Sequence, residues 1–335
     1  MTTLRLLADD LTGALDSAAR FVPLVGVVPT YWSAPLVLPA TAAIDGGTRD
    51  ATAEVASAAM AALAPRLDGA DIAFKKIDSL LRGWVVEELG ALAERFDHCI
   101  LAPAFPFQGR ITRGGRQLVR SDAGWRDVGV DLADAIVAWG DRLTICDAES
   151  DADLDAVVAS GRALPGHVLW CGTGGLAGAL AGRRSGPCPT LPRPILAMIG
   201  TDHAVSMGQL KVVAGRHLHG AHASLVAQAL AEGDAAVTVA VPMGTPRAAA
   251  LDRIVAAFTD ILWSIERPGT LVISGGETLR ALCIALAAER LDVDGEIEPG
   301  VPTSILRGGA FGGQRIVSKS GAFGGPEFLA ALLAR

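Results

Sequence analysis

Short apolar runs alternate with apolar residues at helical spacing from the start of the chain. In residues 4–16, "LRLLADDLTGALD", the first leucines predict a buried strand and the later leucines predict a helix. Asp9 and Asp10 therefore lie at a predicted turn from strand to helix. Asp10 or Thr12 could cap the helix by accepting a hydrogen bond from a first-turn amide, but capping explains one acid and not two. Because ligands bind at the carboxyl ends of strands in open α/β sheets, this turn is a candidate site.

The same alternation continues along the chain and predicts an α/β fold. Further strands are predicted within 98–105, 167–172, 194–200, 235–242 and 270–276, and helices within 52–64, 84–95, 151–160, 246–262 and 277–290. Residues 21–44 carry no charge over a length that could cross a bilayer. Four prolines interrupt that segment, so it predicts strands and turns rather than a membrane helix.

Length and composition indicate two domains. The chain has 335 residues, of which 50% are hydrophobic, enough for about two domains with cores of their own. The proline-rich stretch 185–194, "SGPCPTLPRP", is the clearest shift in composition and is predicted to be a linker. The predicted domains are therefore residues 1–186 and 194–335.

Charge and cysteine usage narrow the functional class. A formal net charge of −7 argues against nucleic-acid and anionic-membrane partners, which require a basic face. The five cysteines form no CxxC pair, which is typical of reduced thiols in the cytoplasm. Asp9 and Asp10 interrupt the first apolar run, so a secretory signal is not predicted there.

Residues 75–83, "KKIDSLLRG", gather charged groups in a short segment. Two of the four lysines in the chain are adjacent here and are followed by Asp78 and Arg82. The cluster offers a point cation, a carboxylate, the Ser79 hydroxyl and a guanidinium that can fork onto a carboxylate or phosphate. The alternative is a surface ion-pair cluster that contributes little.

Residues 102–119, "APAFPFQGRITRGGRQLV", follow a predicted strand and contain prolines and glycines typical of a long ordered loop. Loops of this length at strand ends are more often functional than connective. The segment carries Arg110, Arg113 and Arg116. Whether these arginines bind a ligand or only face solvent stays open.

Two glycine turns follow predicted strands in the second half of the chain. In the first, a buried strand leads into Gly275–Gly276 and a helix begins near Glu277. In the second, "RIVSKSGAFGG" places Lys319 and Gly321 after another strand. Glycines let backbone amides approach a ligand, and helix N-termini favour negative charge, so both turns indicate phosphate binding. Neither matches GxxxxGK[ST] or GxGxxG.

Taken in this order, the stretches resemble the motifs of the four-carbon acid sugar kinases, long catalogued as a domain of unknown function. The family pattern ADDLTGA, TR, KKxDSTLRG, APAFPxxGRxTxxG, GGDT and KSGxFG is similar to residues 8–14, 48–49, 75–83, 102–115, 275–278 and 319–324. The resemblance extends over nearly the whole chain. It implies an enzyme of carbohydrate metabolism that uses ATP and Mg²⁺ to phosphorylate the terminal (4-) hydroxyl of a tetronate or 3-oxo-tetronate.

The resemblance also implies two three-layer α/β/α domains with a cleft between them, the first binding the sugar acid and the second ATP. The implied substrate-binding residues are Asp9, Asp10, Arg49, Lys76, Asp78, Ser79 and Arg82. The implied nucleotide-binding residues are Thr201, Gly275, Gly276, Glu277, Thr278, Gly321 and Gly324. No metal ligand of the protein's own is predicted.

Roles within this set are hypotheses. We expect Asp10 to accept or orient the proton of the attacking hydroxyl and Asp9 to hold other hydroxyls, although the two roles could be reversed. Arg82 or Lys76 is expected to anchor the substrate carboxylate.

The chain departs from the family pattern at several positions. Leu80 stands where the family has Thr, Thr201 and His203 where it has serines, and Glu277 where it has Asp. The chain is also shorter than is usual, mostly within 211–270. An alternative function is therefore a catalytically weak relative that senses a sugar acid or a nucleotide. The sequence leaves open which acid is bound and whether the protein is a homo-oligomer.

Overall fold

The computed structural model describes residues 2–184, 186–220 and 222–333. The chain divides into two compact units, Met1–Gly186 and Pro187–Arg335. Residues 1, 334 and 335 of the predicted domains and residue 185 of the predicted linker lie outside the described residues. The alternation of strands and helices confirms the predicted α/β class. None of the helices in the described ranges has the length and hydropathy that a membrane span requires.

The central sheet of the first unit is parallel throughout. In spatial order its strands are β2 (Val28–Tyr31), β3 (Ala42–Asp45), β1 (Leu4–Ala8), β4 (Ile72–Lys76), β10 (Val168–Gly172), β5 (His98–Ala102) and β9 (Leu143–Ile145). A separate antiparallel sheet joins β6 (Arg110–Arg113), β7 (Arg116–Ser121) and β8 (Gly124–Asp127).

Helices cover both faces of the central sheet. They are α1 (Leu11–Val25), α2 (Ala53–Leu63), α3 (Val85–Gly90), α4 (Ile136–Trp139), α5 (Asp151–Arg162) and α6 (Gly174–Leu180). Phe74 of β4 packs edge-on against Phe21 of α1 with ring centroids 5.4 Å apart, and α1 and α5 both contact α6. On the opposite face, Leu7 of β1 shares a core with Met60 of α2 and Leu89 of α3. Because alternate strand residues point to opposite faces, the apolar residues of these strands contribute to both layers.

One local prediction holds in part and another is wrong. Residues 21–44 contain the strands β2 and β3, but they begin in a helix, because α1 continues through Pro23 to Val25. Pro23 lies in the last turn, where the lost N–H removes only one hydrogen bond. Residues 102–119 are largely a hairpin of β6 and β7 rather than a loop. Gly114 (φ +57°) and Gly115 (φ +72°) form its two-residue turn, and two positive φ values are what a type I′ hairpin requires.

The sheet of the second unit is parallel from one edge to its fifth strand and antiparallel beyond it. In spatial order its strands are β12 (His217–His219), β13 (Ala235–Thr238), β11 (Ile195–Ile199), β14 (Thr270–Ser274), β17 (Arg315–Lys319), β16 (Val301–Arg307) and β15 (Arg290–Glu298).

Helices also lie on both faces of this second sheet. They are α7 (Ala204–Val212), α8 (Ala223–Glu232), α9 (Arg247–Ser264), α10 (Gly276–Ala285) and α11 (Phe328–Leu333). Leu210 of α7 and Leu329 of α11 share the core of one face, and α9 packs between α8 and α10 on the other. The helix predicted to reach residue 290 ends at Ala285, because Ala287 has a positive φ of 54° and β15 begins at Arg290.

Parallel pairing decides where the functional residues lie. In the first unit, the turns after β1, β3 and β4 leave the same edge of the sheet. The helices that follow β1 and β4, α1 and α3, lie on opposite faces, which is the arrangement that opens a ligand crevice between neighbouring strands. In the second unit, the turns after β11, β14 and β17 likewise share one edge.

Candidate functional site

The seven predicted substrate-binding residues lie at the end of β4, which is Lys76, and in the turns after β1, β3 and β4 of the first unit. Arg49 connects three of the others. Its Nε donates to Asp9, its Nη2 lies 3.0 Å from Asp10 Oδ1, and its Nη1 lies 3.4 Å from Asp78 Oδ1. The backbone N–H of Arg49 also donates to the carbonyl of Asp9 at 3.1 Å. Burial disfavours the charged guanidinium, but these carboxylates outweigh it and raise the pKa of Arg49. One arginine thus fixes three acids from two strand ends.

The two adjacent acids differ in exposure and proton affinity. The side chain of Asp9 is 2% exposed, and its Oδ1 is buried without a hydrogen-bond partner. Burial opposes its charge, yet the ion pair with Arg49 holds the pKa of Asp9 below its ordinary value. The side chain of Asp10 is 31% exposed, and its Oδ1 also caps α1 by accepting from Gly13 N–H at 2.9 Å. Burial and the neighbouring Asp9 charge raise the pKa of Asp10. Of the two acids, Asp10 is therefore the one whose side chain is accessible from outside the protein.

Asp78 and Arg82 form a second charged pair. Arg82 Nε and Nη2 each donate to the Asp78 carboxylate at 2.8 Å, and the backbone N–H groups of Leu80 and Arg82 also donate to it. Burial acts against these contacts, but Arg82 and Arg49 hold the pKa of Asp78 well below its usual range. The Arg82 side chain is 65% exposed. Two of its guanidinium nitrogens, Nε and Nη2, are thus occupied by the Asp78 carboxylate.

The two adjacent lysines have different surroundings. Lys75 is fully buried and pairs with Glu88 of α3 at 2.7 Å, and Glu88 also accepts from the hydroxyl of Thr48. Lys75 therefore has a structural partner of opposite charge. Lys76 is 5% exposed, and within the described ranges its ammonium has no ion pair and no hydrogen bond. The carboxylates of Asp9, Asp10, Asp16 and Asp78 act on this ammonium only from beyond ion-pair distance, so a bound anion could form a closer contact with it.

Gly13 brings Lys76 next to Asp10. A Cβ atom at Gly13 would lie 2.6 Å from Asp10 Oδ1 and 2.8 Å from Lys76 Nζ. Only the lack of a side chain at position 13 lets the carboxylate and the ammonium approach the first turn of α1 together. The sequence ADDLTGA thus supplies the acid and the space beside it.

Ser79 is linked to the hairpin of β6 and β7. Its hydroxyl accepts from Arg110 Nη1 at 2.8 Å, and its carbonyl accepts from Gln117 Nε2 at 2.9 Å. Gln117 is fully buried and also holds the carbonyl of Pro103. Arg110 is thereby brought to the β4 turn, although its role was left open from the sequence.

Asp16 is a buried acid that sequence reasoning missed. It lies on α1, is 5% exposed, and its Oδ1 has no hydrogen-bond partner. Burial raises the pKa of Asp16, against the nearby charges of Arg20, Lys76 and Arg110. The signal was available, because Asp16 is the one charged residue in the run of apolar and small residues from Gly13 to Ala19.

The predicted nucleotide-binding residues lie in the turns after β11, β14 and β17 of the second unit and in the first turn of α10, which begins at Gly276. A Cβ at Gly321 would lie 2.7 Å from Thr201 Oγ1 and 2.9 Å from His203 Cβ. The turns after β11 and β17 therefore touch. Gly275 precedes α10, whose first N–H groups have no side-chain cap. Uncapped N–H groups at a helix start are available to an anion such as phosphate.

Several of these residues have partners within the protein. The hydroxyl of Thr278 donates to the carbonyl of Gly200 at 3.1 Å, which joins the start of α10 to the β11 turn. The side chain of Glu277 is 47% exposed and forms a two-bond ion pair with Arg247 of α9, at 3.1 and 2.9 Å. Gly324 lies in the chain segment whose carbonyls accept from Gln209 Nε2. Thr278 and Gly324 thus shape the turns.

Lys319 lies behind the β17 turn. Its ammonium donates to Ser206 Oγ at 2.9 Å and to the carbonyls of Ser320 and Phe323 at 3.1 and 3.0 Å. In the described part of the chain, no carboxylate lies within 4.0 Å of it. Burial lowers the pKa of Lys319 to about 8. The three donated bonds fix the segment that contains Gly321.

Among residues 2–184, 186–220 and 222–333, no three His, Cys, Asp or Glu side chains are grouped so that they could hold a metal ion.

Comparisons with known proteins match a different family model to each of the two units. A family model described as a sugar-binding N-terminal domain matches residues 4–130, and one described as a nucleotide-binding C-terminal domain matches residues 195–329. Structures of proteins from Salmonella typhimurium (19% identity, TM-score 0.76, 99% of each chain) and Haemophilus influenzae (17%, TM-score 0.71, 97% of this chain and 98% of that one) share the fold.

Curated relatives identify the family. A D-threonate kinase from Cupriavidus necator is 30% identical over 95% of this chain and 94% of its own. A D-threonate kinase from Bordetella bronchiseptica is 26% identical over 97% and 95%. A 3-oxo-tetronate kinase from Pseudomonas fluorescens is 26% identical over 98% and 95%. The chain belongs to the four-carbon acid sugar kinase family.

Proposed function

We propose that the protein is an ATP-dependent kinase that phosphorylates the terminal (4-) hydroxyl of a four-carbon sugar acid, a tetronate or 3-oxo-tetronate. The observation that carries this proposal is the placement of Asp10 and Lys76 around Gly13. An accessible carboxylate lies near a buried ammonium that makes no ion pair or hydrogen bond among the described residues. A hydroxyl that loses a proton while it gains a phosphoryl group needs an acceptor and a cation of this kind.

Asp10 is the residue to which we assign the hydroxyl proton. Its pKa is raised by burial and by Asp9, which favours proton uptake at the moment of attack. Arg49 and the Gly13 N–H hold the carboxylate in one orientation. Asp9, which is buried and paired with Arg49, positions this arginine.

We assign to Lys76 the stabilisation of the negative charge that develops where the phosphoryl group is transferred. Its ammonium approaches the same first turn of α1 as Asp10. Because it has no carboxylate partner in the described residues, its charge is available to a bound anion. Preorganised charge of this kind lowers the barrier without reorganisation during the reaction.

The glycine turns of the second unit support nucleotide binding. ATP, with Mg²⁺ on its phosphates, would supply the phosphoryl group and neutralise part of its charge. Gly275, Gly276 and the first N–H groups of α10 are the groups we assign to the phosphates, and Thr201 and Gly321 line the adjoining turn. The Mg²⁺ is expected to arrive with ATP.

Thiol chemistry supports a cytoplasmic location. All five cysteines, each within the described ranges, are free. Burial raises the pKa of Cys99, Cys171 and Cys283, which keeps these thiols protonated and unreactive. Free thiols are typical of a reducing compartment.

The test is coupled ADP release from ATP and Mg²⁺ with D- and L-threonate, D- and L-erythronate and 3-oxo-tetronate. Turnover with one acid, with phosphate found on its terminal oxygen by NMR, is the expected result. The alternative function, a sensor without turnover, predicts thermal stabilisation by an acid or by ATP and no ADP release with any of them.

A further inference from the structure

The cations of the first unit differ in whether their charge is already balanced. Arg49 contacts three carboxylates, Arg82 forks onto Asp78, and Lys75 pairs with Glu88. Lys76 and Arg110 have no carboxylate within 4.0 Å among the residues that the structure describes. A bound anion would therefore gain most from these two cations.

Arg110 has only neutral partners. Its Nη1 donates to the hydroxyl of Ser79 and to the side-chain oxygen of Gln108. Its Nε is buried without a hydrogen-bond partner, and within the described chain its Nη2 donates to no group. One edge of the guanidinium is therefore uncommitted. Burial lowers the pKa of Arg110, although a guanidinium stays charged at any physiological pH.

Neighbouring arginines in the same hairpin are unlike Arg110. Arg113 makes two bonds to Glu149, at 2.7 and 2.6 Å, and Arg116 pairs with Asp127 at 2.8 Å. Both side chains are exposed to solvent. Arg110 alone of the three reaches the β4 turn, where its Nη1 donates to the hydroxyl of Ser79, and Gln117 Nε2 donates to the carbonyl of the same serine.

We propose that Arg110 binds the carboxylate of the sugar acid and makes the site selective for acids over uncharged polyols. The inference rests on the proposed function, and it replaces Arg82 in the role of carboxylate anchor, because the Arg82 fork is committed to Asp78. Lys76 then serves the reacting end of the substrate and Arg110 the opposite end. A planar fork with a free edge suits a carboxylate.

The test compares Arg110→Gln, Arg110→Lys and the matched control Arg113→Gln by calorimetry and by ADP release. The ligand pairs are D-threonate with D-threonamide and D-erythronate with D-erythronamide, in which only the charge of the end group changes. Loss of a charge-assisted bond should weaken binding of the acid to Arg110→Gln by about 10- to 100-fold. The amide should bind both proteins equally, and Arg110→Lys should be intermediate.

Several readouts separate recognition from folding. The melting temperature and the KM for ATP of Arg110→Gln should match those of Arg113→Gln, and kcat at saturating acid should change much less than KM. Equal loss of acid and amide, or acid binding as tight as in Arg113→Gln, would overturn the inference. If the amides do not bind at all, the acid affinities of the two variants decide.

Failure of the kinase proposal is visible independently. A wild-type protein that binds an acid without releasing ADP contradicts the kinase, and the calorimetric comparison still tests Arg110. A wild-type protein that binds none of these acids overturns the inference about Arg110.

Discussion

The turns of the two units lie at the same place in their sheets but offer opposite chemistry. In the first unit, the turns after β1, β3 and β4 present side-chain charges, with Arg49 at the centre of three carboxylates. In the second unit, the turns after β11, β14 and β17 present glycine backbone, and Lys319 donates to neutral oxygens behind them. The same α/β edge thus serves either a charge network or a backbone surface.

The difference corresponds to the two ligands we propose. A small acid with several hydroxyls offers few atoms, so selectivity requires fixed charges and hydrogen bonds to each of them. Phosphates carry many equivalent oxygens, which closely approaching N–H groups can bind without a matching side chain. A substitution can therefore change either the charge network of the first unit or the glycine turns of the second.

The largest effect is expected for Asp10→Asn. The amide keeps an oxygen for the Gly13 cap but cannot take the hydroxyl proton, so kcat should fall by about 10²- to 10⁴-fold. Acid binding, measured by calorimetry, should change only a few-fold. Asp9→Asn is the companion variant. Normal turnover in Asp10→Asn with turnover lost in a folded Asp9→Asn would exchange the two roles.

The next effect concerns the stability of the first unit. Lys75→Met leaves Glu88 buried without its cation, which should lower the free energy of unfolding by about 3–5 kcal/mol. Lys75→Met combined with Glu88→Gln removes both charges and keeps an acceptor for the Thr48 hydroxyl. The double variant should therefore be more stable than Lys75→Met in urea unfolding. Equal stabilities would mean that the ion pair is not the source of the loss.

A glycine pair tests the backbone surface of the second unit. Gly321→Ala would place a methyl group 2.7 Å from Thr201 Oγ1, whereas a Cβ at Gly325, in the same segment, meets nothing within 4 Å. Overpacking of about 1–3 kcal/mol should reduce ATP affinity by roughly tenfold in Gly321→Ala. Gly325→Ala should bind ATP normally, and both variants should bind the sugar acid normally. Equal ATP binding by the two variants would argue against the turn.

The smallest effect is a pH dependence. Burial lowers the pKa of Lys319 from 10.5 to about 8, so between these values the folded protein has released a proton that the unfolded chain still holds. The free energy of unfolding should therefore rise with pH from 8 to 10.5 relative to Lys319→Met. The buried thiols act equally in both proteins and cancel in this difference. Parallel stability curves over this range would contradict the shift.

Much of the first unit follows from local sequence. The strand that ends at Ala8 is readable as an apolar run, and parallel pairing brings its end to the same edge as the end of β4. Ser79 stands out in the local charged cluster, but the position of Arg49 came from motif resemblance, because nothing local links residue 49 to residue 9. The hairpin at 110–121 was not predicted, because the glycines and prolines of this segment are also typical of a loop. Gly114–Gly115 between two alternating segments is nevertheless a hairpin signal.

The balance of charge is what the sequence could not show. The sequence does not distinguish the three arginines at positions 110, 113 and 116. Only the fold shows that Arg113 pairs with Glu149, which is 36 residues away. Likewise Lys75 and Lys76 are adjacent, yet strand alternation sends them to different surroundings. Asp16 was not predicted, because its burial and its interactions with Lys76 and Arg110 depend on other elements of the fold.

The unbalanced ammonium of Lys76 has a practical consequence for anyone who purifies this protein. Inorganic phosphate and sulfate are small anions that could satisfy this group, so buffers that contain them should raise the melting temperature and inhibit turnover competitively with the acid. Kinetic constants recorded in phosphate buffer would then understate affinity for the substrate. Storage in phosphate would stabilise the protein, and assay in a zwitterionic amine buffer would avoid the competition with the substrate.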